Sequence, residues 1–242
     1  MEKRYAIIVA LLITGIIAGN YLFFYEFDIK RESVVVARVI DGDTIELDDG
    51  RKIRMLNVDT PESGEFMSDE AVGFLKNFEN KTIELEVSGT DRYGRILGRM
   101  FSPSYVNLEL VELGLARAFL VQEEEIKNFK KAESEARDKG LGLWEKSEYY
   151  GCLGVEINKK EEYVIIENLC GADITKWSIK DESTRKYVFK KHYEKVRLNS
   201  GSGQDSNDEV FWGRGNVWND DKDSIFIRDD EEKLVYFNSY GY

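Results

Sequence analysis

Hydrophobic and polar positions change rhythm several times along this chain. Val34–Ile40 is a β-branched run and predicts a strand. Asp41-Gly42-Asp43 reads as a turn, with Thr44–Leu47 pairing back as the next strand. Asp48-Asp49-Gly50 is a hairpin signal, and Lys52–Val58 alternates polar with apolar residues as a half-buried strand does. Ser68 is placed to cap a helix running to about Phe78, with Ala71, Phe74, Leu75 and Phe78 on one face. Thr82–Val87 and Ile96–Phe101 are strands on either side of a turn-rich loop, Gly89–Gly94. Asn107 is placed to cap a short helix, Leu108–Leu113, ended by Gly114. Glu123–Lys139 is a long charged helix stopped by Gly140. Five short strands carrying helices predict an α+β unit built on a small closed barrel, most simply the five-stranded OB type.

Beyond Glu148 the helical period disappears. Tyr149-Tyr150-Gly151 reads as a linker. Short β-type runs then recur at 163–167, 177–180, 186–189, 195–198, 210–211, 224–228 and 234–236, separated by Gly, Asn, Asp and Ser. Such spacing predicts an all-β sandwich. The expected organisation is an N-terminal segment over 1–29, a barrel over 30–148 and a sandwich over 153–242.

The N-terminal segment has its own pattern. Lys3 and Arg4 precede Tyr5–Tyr25, which carries no charge and is almost wholly apolar. That length suits a helix crossing a bilayer, with the basic end in the cytoplasm and the aromatic end at the opposite interface. A cleaved signal peptide, with small residues near Ala18-Gly19, is the other reading. Both put the rest of the chain outside the cytoplasm, anchored to the membrane or secreted.

Charge narrows the partners. The net charge is −12, so no bulk positive field is available to hold a polyanion. Such a partner must be held locally, by a metal and a few arginines. Cys152 and Cys170 are the two cysteines; in an exported chain they permit a disulfide, and two buried thiols are the other option. No CxxC pair or Cys/His cluster suggests zinc. His192, the sole histidine, lies in a polar strand end and reads as a surface residue.

The candidate chemistry lies in residues 39–62. Asp43 and Asp59 end segments that neighbour each other in a barrel, so their carboxylates can converge on one hard cation, Ca²⁺ or Mg²⁺. The Thr60 carbonyl is the expected third ligand. Glu62, three residues past Asp59 on a turn fixed by Pro61, is the candidate general base. Arg54 and Arg95 offer planar forks that match phosphate oxygens. A metal, a base and two arginine clamps make a phosphodiesterase constellation.

Val39-Ile40-Asp41-Gly42-Asp43-Thr44, Arg54–Glu62 and Asp91-Arg92-Tyr93-Gly94-Arg95 resemble the signatures of the staphylococcal nuclease (thermonuclease) family. Asn107–Val111, Gly114-Leu115-Ala116 and Gly140–Trp144 also match that family. The resemblance covers about 34–146. It implies an OB-type barrel, Ca²⁺ dependence and cleavage of DNA and RNA. It also implies Asp43, Asp59 and Thr60 as metal ligands, Glu62 as base, and Arg54 and Arg95 on the phosphate. Tyr93, with Arg92 beside it, would lie near the bound nucleotide, and Asp41 would stand outside the ligand set. Where the family's prototype carries base-stacking tyrosines, this chain reads Arg117-Ala118-Phe119-Leu120-Val121-Gln122; Phe119 alone offers an aromatic face.

The C-terminal segment resembles a lamin-tail domain through Glu162–Asn168, Ile174–Asp181 and Trp212–Asn219. That resemblance implies an immunoglobulin-like sandwich with an unidentified ligand. Trp177, Trp212 and Trp218 are expected to pack in its core, and Asp220–Asp223 to be a solvated acidic turn. The rival to a Ca²⁺-dependent nuclease is a non-catalytic nucleic-acid-binding or envelope adhesion protein.

Overall fold

The computed structural model describes residues 31–241 together with Thr14. The membrane anchor or signal segment expected over Tyr5–Tyr25 therefore lies outside the described residues, Thr14 excepted. No helix among the described residues is long and apolar enough to cross a membrane.

The first unit is a closed five-stranded barrel. Its strands are β1 (Arg31–Val39), β2 (Thr44–Leu47), β3 (Lys52–Met55), β5 (Thr82–Thr90) and β6 (Ile96–Phe101), in the order β1-β2-β3-β6-β5. The β3–β6 pair is parallel and the other described pairs are antiparallel. Val36, Ile45, Leu47, Ile53, Met55, Ile83, Leu85 and Met100 point inward and are buried. Three helices cover the barrel: α1 (Ser68–Lys76), α2 (Val106–Glu112) and α3 (Ile126–Lys139). Gly140 ends α3 in the left-handed region at φ 66°, as expected of a C-terminal glycine.

Three local expectations are corrected. Ser68 opens α1 but does not cap it; Met67, at φ 69°, precedes the helix with no side-chain cap. Asn107 lies inside α2, and its amide is spent on the barrel instead. It accepts from Met100 N (2.9 Å) and donates to Leu56 O (2.9 Å) and Gly98 O (3.1 Å). The long helix starts at Ile126, because Glu125 is drawn aside onto Asn57 and Arg99 at 2.6 and 2.7 Å.

The most consequential correction concerns Lys52–Val58. The strand stops at Met55, and Asn57 takes φ 67°. That break frees Val58–Asp59 to form β4, which pairs with β7 (Arg117–Ala118) in the register Asp59↔Arg117.

The second unit is all β, as predicted, with one strand more than the pattern indicated: β8, Leu153–Asn158. One sheet has the order β11-β10-β14-β15 and the other β13-β12-β9-β8. These are Lys186–Val188, Ser178–Lys180, Asp223–Arg228 and Leu234–Tyr240, then Glu209–Phe211, Lys195–Asn199, Tyr163–Asn168 and β8. Ile166 and Leu198 of one sheet share a core with Ile179, Ile225 and Ile227 of the other. Trp177 and Trp218 are buried there, while Trp212 is only partly covered. Cys152 and Cys170 form a disulfide. His192 is on the surface beside Glu194, as expected. In the acidic turn, Asp223 departs from expectation: it is fully buried and accepts from the backbone N–H of Asn219 and Ser224.

Residues 146–151 do not form a free linker. Leu234 N donates to Glu145 O, Ser147 N to Leu234 O and Gly151 N to Val235 O, at 2.8, 2.9 and 3.1 Å. Ala136, Leu143 and Trp144 of the first unit share an apolar cluster with Phe226 and Leu234 of the second. Lys180 pairs with Glu65 at 2.9 Å, and Arg228 donates to Leu143 O at 2.7 Å.

Candidate active site

The site is assembled by register. Thr44 of β2 faces Arg54 of β3, and Arg54 in turn faces Leu97 of β6. Asp43 therefore sits at the mouth of β2 beside Arg54, and Arg95 enters from the turn that precedes β6. Asp41 accepts a bond from Asp43 N at 3.0 Å, which closes the turn and aims the Asp43 carboxylate inward. Gly42 lets this turn touch the next segment. A Cβ there would stand 2.6 Å from Thr60 Oγ1 and 2.8 Å from Thr60 Cβ, so only glycine fits.

Asp43 is 7% exposed. Its Oδ1 meets Arg54 Nε at 3.0 Å and accepts from Thr44 Oγ1 at 3.1 Å. Its Oδ2 accepts from Thr60 N at 3.3 Å and Thr60 Oγ1 at 3.2 Å. Burial nevertheless pushes its carboxyl up to about 6. Arg54 and the Thr60 amide work against that rise, and Asp41 and Asp59 add to it. Asp59 meets Arg54 Nη2 at 3.8 Å through Oδ1 and Arg117 Nη2 at 2.7 Å through Oδ2.

Arg54 is turned into the protein. Its Nη1 donates to Met55 O (2.6 Å) and Val58 O (2.9 Å), and its Nε is on Asp43. Among the described residues Nη2 has only the 3.8 Å ion pair to Asp59 and no hydrogen bond, so of the guanidinium's three nitrogens it has the most capacity for an outside acceptor. Arg95 is half-buried; Nε is held by Asp91 at 2.8 Å, and Nη1 donates to Thr44 Oγ1 at 3.3 Å. Thr44 thus links the two arginines through Asp43. Asp91 organises the turn, accepting from the N–H of Tyr93 and Arg95 as well.

Glu62 is exposed on the rim of a cavity of about 100 Å³ that Asp59, Thr60 and Pro61 also line. No hydrogen bond or ion pair holds its carboxylate among the described residues. Tyr93 and Arg92 are both exposed, with the guanidinium 4.8 Å from the ring centroid. They join the cluster only through Arg95, 5.7 Å from that ring.

The donors suit a hard cation. Asp43 Oδ1 and Asp59 Oδ1 both lie beside the Arg54 guanidinium, at 3.0 Å from Nε and 3.8 Å from Nη2, so the two carboxylates are neighbours, and oxygens are the ligands a hard cation takes. Among the described residues no three His, Cys, Asp or Glu side chains gather into a cation cage. The expected set has two carboxylates and a backbone carbonyl.

Two residues of this cluster escaped the sequence reading. Thr44 stands within a quoted motif, and its bridging role needs the β2–β3 register to be seen. Arg117 follows Gly114-Leu115-Ala116, and only the unexpected β4–β7 pairing brings it to Asp59. It is also held by the second unit, 5.1 Å from the Phe226 ring centroid and 3.5 Å from Glu182 O.

Residues 52–146 match the model of the staphylococcal nuclease homologue family. Asp43 lies just ahead of the matched stretch. The thermonuclease of Staphylococcus intermedius is 34% identical over 135 residues, which is 49% of this chain and 80% of that protein. An uncharacterized endonuclease of Escherichia coli is 33% identical over 114 residues, 45% of this chain and 74% of that one. Endonuclease YhcR of Bacillus subtilis is 29% identical over 189 residues. That similarity takes in 68% of this chain and reaches into the second unit, but spans only 15% of YhcR. A closed five-stranded barrel, the cluster at its rim and these matches agree: the chain belongs to the staphylococcal nuclease homologue family.

Proposed function

We propose that this protein is a Ca²⁺-dependent nuclease that hydrolyses phosphodiester bonds of DNA, RNA or both. The observation that carries the reading is the clustering of Asp43 and Asp59 beside Arg54, with Arg95 tied to them through Thr44 and Glu62 on the adjoining rim. Its relatives include proteins named thermonuclease and endonuclease.

Asp43, Asp59 and the Thr60 carbonyl would hold the ion. A bound Ca²⁺ supplies positive charge to the phosphate and lowers the pKa of water beside it. Glu62, solvent-accessible and without a competing partner, takes the proton of the attacking water. Arg54 Nη2 and the outer edge of Arg95 face the phosphate oxygens, where charge builds as attack proceeds. Arg92 and Tyr93 lie along the path of the neighbouring nucleotide. The leaving group is the 5′-oxygen, by the family's pattern.

The apolar N-terminal segment would anchor the protein in a membrane or direct its secretion, placing the nuclease outside the cytoplasm. The second unit would be an immunoglobulin-like, lamin-tail sandwich.

The test is cleavage of single- and double-stranded DNA and RNA by the full chain, with Ca²⁺ or with chelator. Glu62→Gln is expected to lower the rate by about a hundredfold or more, and Arg95→Ala by about as much. Equal cleavage in chelator, or undiminished cleavage by Glu62→Gln, refutes the reading.

A further inference from the structure

The loop that carries Glu62, residues 60–67, is closed on itself by one residue. Glu65 N donates to Glu62 O at 2.9 Å, and Glu62 N donates back to Glu65 Oε2 at 3.1 Å. Ser68 N donates to Glu65 O at 3.1 Å, which ties the same residue to the first turn of α1. Where Glu65 stands therefore sets where the Glu62 backbone lies.

What holds the Glu65 side chain belongs to the second unit. Its Oε1 meets Lys180 Nζ at 2.9 Å, in a half-buried pair. Lys180 ends β10 and stands opposite Phe226 of β14; two residues back, Ser178 stands opposite Arg228. Opposed residues of an antiparallel pair share a face of the sheet. Ile179, Ile225 and Ile227, between them, point the other way into the sandwich core. Lys180, Phe226 and Arg228 thus form one outward face, and each reaches the first unit near the site. Lys180 takes Glu65. The Arg228 guanidinium lies 5.5 Å from the ring centroid of Phe66, the next residue of the loop. Phe226 lies under Arg117, 5.1 Å from ring centroid to guanidinium, and Arg117 holds Asp59 at 2.7 Å.

This face is braced from behind. Arg228 is buried and donates to Glu232 O at 2.9 Å and Leu143 O at 2.7 Å. Beyond β10 the chain turns on Asp181, which is buried and accepts from Ser183 N at 3.0 Å. Apolar cover between the units is supplied elsewhere, by Trp144, Phe226 and Leu234. The Lys180–Glu65 pair lies outside that cluster and ends on the side chain that bonds the Glu62 amide.

We propose that Lys180 of the second unit is a positioning residue for the nuclease site: acting through Glu65, it fixes the loop that presents Glu62 to the attacking water. The proposal rests on the nuclease reading for the role of Glu62. A general base must stand within hydrogen-bond reach of the proton it takes, and a misplacement of about 1 Å can cost on the order of a hundredfold in rate. The second unit is then part of the cutting machinery without touching the substrate.

The experiment uses the full chain and four variants. Lys180→Met removes the charge and keeps the stem. Glu65→Gln keeps an oxygen for Glu62 N but weakens the link to Lys180. Each should lower kcat on a short oligonucleotide with Ca²⁺ by about tenfold and leave KM within about twofold. The double variant should be no slower than either single one, because both cut the same link. Lys180→Arg, which keeps the charge, should bring kcat back to within about twofold of the wild type. Hydrogen exchange, followed in chelator by mass spectrometry, gives a readout apart from activity. In Lys180→Met the segment 60–67 should exchange about tenfold faster while the barrel strands keep their protection. Wild-type cleavage with an unaltered kcat in Lys180→Met overturns the proposal and leaves the nuclease reading standing. Additive losses in the double variant, or faster exchange throughout the barrel, also overturn it, since the pair would then serve stability alone. No cleavage by the wild type overturns the nuclease reading, and this proposal with it.

Discussion

Asp43 should make the stability of the metal-free protein depend on pH just below neutrality. Its carboxyl is pushed from an ordinary 3.8 to about 6, chiefly by burial. Between those values the native state holds a proton that the unfolded chain has lost, so stability rises as pH falls. The full shift of about two units corresponds to about 3 kcal/mol. About 1 kcal/mol of this is gained between pH 7 and 5, and the rest below pH 5. Asp43→Asn removes the titration and preserves the shape. Urea unfolding of both proteins in chelator, at pH 7 and pH 5, isolates the effect. The stability of Asp43→Asn relative to the parent should be about 1 kcal/mol greater at pH 7 than at pH 5. The general repulsion from a net charge near −12 nearly cancels in that comparison. A difference that does not change with pH refutes the argument that Asp43 is buried with its charge incompletely compensated. Saturating Ca²⁺ should flatten the difference, because a cation at the site keeps the carboxylate ionised throughout.

Two further outcomes follow from the packing. Gly42→Ala forces a Cβ against Thr60, so it should lower both the rate of cleavage and the apparent Ca²⁺ affinity, read by calorimetry, while leaving the barrel's circular dichroism unchanged. Replacing Cys152 and Cys170 by serine releases a loop with a sequence separation of 18, which should cost about 3 kcal/mol in urea unfolding; a loss under about 1 kcal/mol would argue against the cross-link.

Much of the cluster at the barrel rim was legible because its residues are close in sequence and each carries its own chemistry. Asp43, Arg54 and Thr60 fall within one hairpin and its exit, and the strand register that joins them follows from the alternation of apolar residues. Arg95 was legible through its motif. Arg117 was not, because its meeting with Asp59 depends on Asn57 adopting a positive φ and breaking a strand that otherwise reads as continuous. The contribution of the second unit was hidden for a different reason. Lys180, Glu182 and Phe226 reach Glu65 and Arg117 from more than sixty positions away, and no local pattern encodes such contacts. In the second unit, short β-type runs between Gly-, Asn-, Asp- and Ser-rich turns revealed seven strands and missed Leu153–Asn158, whose Gly154 and Asn158 disguise it.

The hydrogen bonds from residues 145–151 to Leu234 and Val235 have a consequence for synthesis on the ribosome. The barrel has all its strands once Phe101 has emerged, and its helices once Lys139 has. The connecting segment, in contrast, cannot find its partners until β15 has been made, nearly a hundred residues later. Through that interval Trp144 and Leu143 have no Phe226 or Leu234 to cover them. A nascent chain would thus carry a folded barrel with an apolar flank awaiting its cover. Any cutting site that uses both units would be completed only when the sheet of β14 and β15 closes over that flank.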